Sequence, residues 1–221
     1  MIDERWAQAA RSLTSRAAFW SLRIVDEQID DHEIRNDIAQ PMRTVRDRGA
    51  MLIAWVGAGA GYAATANLSA AGLQEALDLA TARAEASAAL SLIDHREVVR
   101  PVMSGHYVSP NAQLALPGRA EWLDRLSVEC AGANLDARIV ERVAAVQITL
   151  TDQLYITSDG VRIDQQFRPV AVRAEHFLLD EAPAGEVALV AENPIEFERM
   201  ADRLVNLQHH LIGHQQQIAL A

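Results

Sequence analysis

Hydrophobic residues alternate with small or polar ones along residues 49–56, and this period of two is typical of a half-buried strand. A glycine cluster then interrupts the run, which predicts a hairpin turn between two core strands, the second opening at Tyr62. The alternating large residues are Met51, Ile53 and Trp55. The glycines of the cluster are Gly57, Gly59 and Gly61.

A helical period follows the second strand. Ser69 stands where a helix would begin, and its hydroxyl can accept a hydrogen bond from an otherwise unpaired backbone N–H. The next apolar residues share one helical face: Leu73, Ala76, Leu77 and Ala80. Residues 49–90 are therefore predicted to form a β-turn-β-α unit.

The rest of the chain contains further segments with the hydrophobic period of a helix or of a strand. Helices are predicted over residues 4–18, from 119 to about 132, and from Asn193 as a cap with Pro194 at the first position. Strands are predicted over 19–28, 29–41, 43–48, 139–151, 154–157 and 161–179, with 29–41 as a hairpin partner on an exposed edge. Ser158-Asp159-Gly160 reads as a turn, and 91–118 as a long surface connection.

These elements predict an α+β fold, with antiparallel meander sheets covered by helices in a two-layer α/β sandwich around one shared core. The predicted organisation is a single domain over 1–221, with sub-halves of about 1–92 and 119–221 joined by the long connection. A length of 221 residues, half of them hydrophobic, suffices for such a core.

Charge and composition argue against nucleic-acid binding and membrane insertion. The formal net charge of −10 argues against nucleic-acid binding, and no apolar run is long enough to span a membrane, so we expect a cytoplasmic protein. The basic residues are all arginine, and Arg43, Arg46 and Arg48 are expected to form a solvated strand face. The single Cys130 cannot form an internal disulfide and is expected to be a buried small hydrophobe.

Several segments invite functional interpretation without selecting a reaction. The Gly57–Tyr62 string departs from a dinucleotide-binding fingerprint, because its third glycine is misplaced and no helix follows directly. Strand alternation would separate the carboxylates of Asp30-Asp31-His32-Glu33 onto two faces, so the group is interpreted as a charged edge. Asp94, His95, His106 and Tyr107 lie in the long connection without a selective spacing, and Ser158 lacks a positioned base.

One set of motifs resembles the amino-terminal domain of the TldD/PmbA family, which is known for modulators of DNA gyrase and zinc metallopeptidases. The similarity extends from the first strand to the Ser-Asp-Gly turn. It rests on Gly49, Gly57, Gly59-x-Gly61-Tyr62, Thr65-x-Asn67-Leu68-Ser69, the helix from Leu73 to Ala84, and Tyr155-Ile156-Thr157-Ser158-Asp159-Gly160-Val161. The resemblance implies a separate carboxy-terminal domain that binds zinc, and two subunit types assembled around an internal cleft that holds a peptide as an added strand.

The catalytic motif of that family, His-Glu-x-x-x-His, is not present. The nearest string is His209-His210-Leu211-Ile212-Gly213-His214, which has His210 in place of the glutamate. His210 and His214 are spaced to share a helix face, but two imidazoles with His209 nearby make an incomplete metal site, and a polar helix end is the simpler interpretation. No catalytic, cofactor-binding or metal-ligating residue is therefore assigned.

The sequence thus predicts a non-catalytic or accessory amino-terminal domain that contributes to subunit pairing and to a peptide-binding cleft. Its expected partners are a TldD/PmbA-type chain, of its own kind or another, and a peptide, with no cofactor of its own. The alternatives are an independent binding or scaffold protein derived from that domain, and a divergent metal site at His209, His210 and His214. A chain that ends beside an amphipathic helix also leads us to expect further sequence beyond it.

Overall fold

The structure, a computed structural model, describes residues 3–91, 103–113, 115–134, 139–178 and 186–191. Three α-helices lie in these ranges: α1 (Glu4–Arg11), α2 (Ala70–Ser87) and α3 (Arg119–Gly132), with a short 3₁₀ helix at Pro110–Gln113. The described strands are β1 (Phe19–Arg35), β2 (Ile38–Ala39), β3 (Arg43–Val56), β4 (Gly59–Thr65), β5 (Gly105–Val108), β6 (Ile139–Thr157), β7 (Arg162–Phe167), β8 (Val170–Leu178) and β9 (Glu186–Ala191).

The described strands form one mixed sheet, in the order β4-β3-β1-β6-β7-β5. β2 pairs with β1, and β8 pairs with both β6 and β9. Antiparallel pairing joins β1 to β2, β3 to β4, β6 to β8 and β8 to β9, whereas β5 runs parallel to β7. The predicted α+β class is confirmed, and the parallel β5 lies inside the segment that the sequence indicated as an irregular connection.

Two compact units can be distinguished. Unit 1 contains Met1–Glu27, Arg46–Val108 and Thr151–Gln166; unit 2 contains Gln28–Val45, Ser109–Leu150 and Phe167–Ala221. Each has its own hydrophobic cluster, so the shared core expected from the sequence is replaced by two clusters among the described residues. Both units combine segments that are distant in sequence, and the organisation of residues 1–221 as a single domain stays a prediction.

In unit 1, α2 packs on the sheet. The Gly72 N–H donates to Ser69 Oγ at 3.2 Å, which confirms the predicted helix cap. The apolar face of α2 meets alternate residues of β1, β3 and β4, and burying such a face is the main source of helix stability in a protein. The participating side chains include Leu73, Leu77, Ala80, Leu22, Ile24, Leu52 and Ala63.

Two glycines of β4 set the distance between the strand and α2. A Cβ atom at Gly59 would collide with the backbone of Ala84 and Ala88, and one at Gly61 with the backbone of Ala80 and Ala84. Neither position could carry a side chain without moving the helix. Of the predicted glycine hairpin only Gly57 lies in the turn itself, where its φ of 58° favours glycine.

The first helix is shorter than predicted, since α1 ends at Arg11 and not at residue 18. The backbone N–H of Thr14 donates to Gln74 Oε1 at 3.0 Å, and that of Ala17 donates to Ser15 Oγ at 3.1 Å. Side chains therefore satisfy the backbone groups that a longer helix would have paired internally.

In unit 2, α3 covers β6 and β8, as its predicted apolar face indicated. Trp122, Leu126 and Cys130 pack with alternate residues of both strands, and Cys130 is fully buried. The turn between β1 and β2 has two central residues with positive φ, Asn36 at 48° and Asp37 at 63°. These residue types tolerate the left-handed region that a two-residue hairpin requires.

Arg142 holds this hairpin turn against β6. Its guanidinium lies 2.6 Å from the Asp37 carboxylate, and its backbone N–H donates to Asn36 Oδ1 at 2.9 Å. A second guanidinium nitrogen donates to the Cys130 carbonyl at 3.4 Å. One arginine thus connects the turn, the strand and the end of α3.

Strand lengths depart from the sequence prediction in a consistent way. Residues 19–28 and the supposed hairpin partner 29–41 are mostly one strand, β1, and residues 139–151 and 154–157 form one strand, β6. Polar residues in the middle of each strand suggested breaks, but their side chains pair with neighbouring strands. Residues 161–179 instead divide at Arg168 and Pro169 into β7 and β8. The helix predicted from Asn193 lies outside the described residues.

Substituting Gly61→Ala should destabilise the protein by about 1–3 kcal/mol, because the new methyl group overpacks the contact between β4 and α2. Urea unfolding followed by circular dichroism measures the change. Gly132→Ala is the matched control, since a Cβ there meets nothing within 4 Å in the described part of the chain and alanine favours a helix. Equal stability of the Gly61→Ala variant and the wild type would contradict the assigned contact.

Candidate functional site

A depression of about 630 Å³ lies within unit 2. Alternate residues of β6 and β8, such as Val146 and Val172, pack with α3, so the intervening residues face the other side of the sheet. These intervening residues, together with β1 and the start of β3, border the depression. Its charged and amide lining residues are Asp31, Glu33, Arg35, Gln40, Arg43, Gln147 and Arg173.

Ion pairs and one amide contact organise the floor of this unit 2 depression. Glu33 lies 3.2 Å from Arg35 and 3.6 Å from Arg173, so one carboxylate faces two guanidinium groups. Gln147 Nε2 donates to Asp31 Oδ1 at 2.9 Å. Arg35 also forms an ion pair with Glu141 at 2.9 Å, and this contact links β1 to the neighbouring strand β6. The floor is thus polar, cross-linked and close to neutral.

Arg43 differs from the other arginines of the depression. It is exposed at the start of β3 and has neither a side-chain hydrogen bond nor an ion pair among the described residues. Its guanidinium can therefore form a forked contact with a carboxylate without first losing an internal partner.

His32 also lies in the lining of the depression, although it alternates with Asp31 and Glu33 along β1 and so belongs to the other face of the strand. It is only 5% exposed, and it alternates with the fully buried Ile34 that packs with α3. Its Nδ1 has no hydrogen-bond partner among the described residues. Burial lowers the pKa of His32 below its ordinary value; Asp30 and Asp31 oppose this shift, and Arg119 adds to it. His32 is therefore a neutral imidazole held in a core.

The Asp30–Glu33 group was interpreted as a charged edge, and this was wrong in one respect. The alternation holds, since Asp31 and Glu33 line the depression whereas His32 is buried with Ile34. However, β1 lies between β3 and β6 and is not an edge strand. Its carboxylates are tolerated there because neighbouring strands supply partners, as Thr44 does for Asp30 at 2.7 Å.

The other candidates that the structure describes do not converge on a common site. Ser158 is a structural residue: its Oγ accepts from the Trp20 backbone N–H at 3.1 Å, at the predicted turn where Gly160 has a φ of 85°. His106 and Tyr107 lie exposed on β5. Arg46 pairs with Asp26 at 2.6 Å, so it is bound and not merely solvated. Asp94, His95, His209, His210 and His214 lie outside the described residues.

The edge of β4 is closed by α2. Val56 and Gly59 pair next to the two-residue turn, and the alternation of an antiparallel ladder then directs the carbonyls of Ala60 and Tyr62 outward. The Ser87 hydroxyl donates to the Ala60 carbonyl at 2.9 Å, and the Arg83 guanidinium donates to the Tyr62 carbonyl at 2.7 Å. An added strand would have to displace both contacts.

The fold and these sites can now be compared with known proteins. Residues 20–88 match the family model for PmbA/TldA metallopeptidase domain 1, which here spans most of β1 and all of β3, β4 and α2. This segment is similar to the first domain of proteins of the PmbA/TldA type. The resemblance to the TldD/PmbA family is confirmed on that ground.

Solved structures show the same fold over most of the chain. TldE from Thermococcus kodakarensis has a TM-score of 0.61 at 13% identity, covering 90% of this chain and 45% of its own. A protein described as a modulator of a DNA gyrase from Thermotoga maritima has a TM-score of 0.57 at 12% identity, with 87% and 42% covered. The corresponding Bacteroides thetaiotaomicron protein has a TM-score of 0.54 at 12% identity, with 85% and 42% covered.

The chain therefore spans less than half the length of the solved relatives. No curated protein matches its sequence. Within the part of the chain that the structure describes, no cluster of three His, Cys, Asp or Glu residues could hold a metal ion, so no described donor set fits the zinc that the resemblance implies. None of the described helices is long and apolar enough to cross a membrane.

The depression escaped the sequence analysis because its residues come from four segments, two of which, on β6 and β8, are far from β1 along the chain. One signal was present in the sequence: Asp31, Glu33 and Arg35 occupy every second position of a single strand. Charged residues at that period indicate a polar sheet face. Their partners Gln147 and Arg173 can be identified only from the pairing of β6 with β1 and β8.

Because the folded state lowers the pKa of His32, the unfolded state binds more protons near the ordinary histidine pKa of about 6.5. The stability that His32 contributes should be complete above that pH and should decrease as the pH falls toward the folded-state pKa. Urea unfolding between about pH 8 and pH 5.5 measures this slope. His32→Gln should flatten the slope, because it removes the titrating imidazole. An identical slope in wild type and His32→Gln would contradict the assignment.

Proposed function

We propose that this chain is an accessory, non-catalytic first domain of the PmbA/TldA type, which pairs with a catalytic chain of that family and forms part of a peptide-binding cleft. The observation that carries the proposal is the family match over residues 20–88, on a fold that corresponds to 42–45% of each solved relative. The zinc and its ligands would belong to the partner.

The unit 2 depression is the part of the chain that we assign to the peptide. Its volume lies within the roughly 300–1,000 Å³ of small-ligand sites, and its floor offers both carboxylates and guanidinium groups to a polar chain. Arg43 is the group that can gain a new ion pair without breaking an existing one. We therefore expect a preference for peptides that carry Asp or Glu.

The closed edge of β4 limits how a peptide could bind to this chain. Because Arg83 and Ser87 occupy its outward carbonyls, strand addition at β4 is disfavoured. The peptide contacts proposed here therefore use side chains in the depression and not main-chain pairing along that strand.

The pairing is tested by mixing the purified chain with a PmbA/TldA-type chain that carries His-Glu-x-x-x-His, followed by mass measurement in solution. We expect a stable complex, with chelator-sensitive peptide cleavage only when the catalytic chain is present. Chelator-sensitive peptidase activity in the pure chain, with no second protein, would overturn the accessory role. Absence of a complex would favour an independent binding or scaffold protein.

Arg43→Ala should weaken the binding of an Asp/Glu-containing peptide by roughly two- to fivefold, as expected for one exposed ion pair. Fluorescence anisotropy with a labelled peptide measures the effect. The same peptide with Asn and Gln in place of the acids should bind wild type and variant equally. Arg11→Ala, which removes an exposed arginine of α1, is the matched control. A loss of equal size with both peptides would exclude the proposed ion pair.

A further inference from the structure

Long and short side chains alternate in the lining of the unit 2 depression. On the paired strands β6 and β8, Gln147 lies opposite Ala171 and Ala145 lies opposite Arg173. Residues two apart on a strand share a face, and all four of these line the depression. Each long side chain therefore has a single methyl group as its partner across the two strands.

Two contacts show how β1 lies beside β6. The Asn36 backbone N–H donates to the Arg142 carbonyl at 2.9 Å, and Gln147 Nε2 donates to Asp31 Oδ1 at 2.9 Å. From the first contact to the second, the β1 residue number falls from 36 to 31 while the β6 number rises from 142 to 147. The two strands therefore run in opposite directions, with an unbroken register between these contacts.

The Arg173 side chain crosses β6 to reach β1. In this register Glu33 lies beside Ala145, which pairs with Arg173 at its other edge. The guanidinium of Arg173 nevertheless lies 3.6 Å from the Glu33 carboxylate. Because the side chain between them is only a methyl group, the two long side chains can meet above β6. The short residue at position 145 is thus explained by an internal ion pair.

Ala171 lies in the neighbouring row, and both of its long neighbours are directed away from it. Gln147 extends toward Asp31 on β1, and Arg173, two residues along β8, extends toward Glu33 on the same strand. The half-buried methyl group of Ala171 is left in the lining of the depression. The result is a hollow with an apolar floor, bounded by the stems of Gln147 and Arg173.

Arg43 lies at the opposite end of the row that contains Ala171. The Thr44 hydroxyl donates to Asp30 at 2.7 Å, so the next residues, Arg43 and Asp31, are neighbours in the lining. The row passes from β3 over β1 and β6 to β8. Three strand spacings of about 4.8 Å give about 14 Å between its ends. An extended peptide advances about 3.4 Å per residue, so its residues four apart span the same distance and face the same side.

We propose that Ala171 forms the floor of a subsite for one apolar side chain of the bound peptide, four residues from the acidic residue that Arg43 holds. The inference rests on the function proposed above and adds a second side-chain class and a spacing to it. An aliphatic side chain at this position leaves water for a methyl-lined hollow, which favours binding. At half that distance from Arg43 it would instead lie over the polar side chains of β1 and β6, where it gains no such contact.

Two labelled peptides of identical composition test the spacing. Each has blocked termini and one central Glu in a background of Ser and Ala. One carries Leu four residues before and four after the Glu, and the other carries Leu two residues before and two after, so the direction of the bound peptide does not matter. Fluorescence anisotropy should show roughly five- to tenfold tighter binding of the first peptide, as expected for partial burial of one leucine side chain.

Ala171→Val raises the floor of the subsite without changing any charge, and valine is well suited to a strand. This variant should bind both peptides with the affinity that the wild type has for the second. Ala64→Val, at an exposed alanine of β4 in unit 1, is the matched control and should keep the full preference for the first peptide. Thermal unfolding of both variants shows whether either substitution has damaged the fold.

The outcomes separate the subsite from the function on which it rests. Equal affinity of the wild type for the two peptides, or a full preference retained by Ala171→Val, would overturn the subsite and leave the binding of acidic peptides intact. If neither peptide bound, or if Arg43→Ala bound them as the wild type does, the proposed peptide site would fail and the subsite with it.

Discussion

The close contact between α2 and β4 is the constraint on which unit 1 depends. Because Gly59 and Gly61 have no side chains, the helix backbone approaches the strand closely enough for Arg83 and Ser87 to reach the outward carbonyls of β4. The same approach buries Leu73 and the small residues of α2 against β3. Helix packing and edge protection thus have a single cause, namely the two missing Cβ atoms.

That contact also determines the character of the opposite sheet face. Once α2 covers the side of Leu52 and Ala54, alternation leaves Met51, Ile53 and Tyr62 on the other side. In unit 2, α3 likewise covers one face of the strands. The side chains on the uncovered face there are charged, and Glu33 and Arg173 form an ion pair among them. One open face is therefore apolar and the other polar, which is the physical reason for assigning the peptide contacts to the second.

The sequence correctly predicted the elements whose structure depends on residues close together along the chain. The Ser69 cap, the Ser158–Gly160 turn and the bounds of α3 depend on a few neighbouring residues, and all three are confirmed. The roles of Gly59 and Gly61 were misassigned to a turn, since the need for glycine arises from a helix distant along the chain. For the same reason neither the central position of β1 nor the depression could be predicted: both depend on strand pairing over long sequence separations.

Covalent footprinting of the chain tests the central claim, that the unit 2 depression binds a peptide that carries Asp or Glu. A solution-phase carbene or hydroxyl-radical label, quantified residue by residue, reports the solvent accessibility of Pro41 and Arg43 in the lining of the depression. The account predicts that labelling of both decreases as the acidic peptide is added, while labelling of the exposed Leu79 on α2 stays constant. Unchanged labelling of Pro41 and Arg43 at peptide concentrations that saturate binding would contradict it.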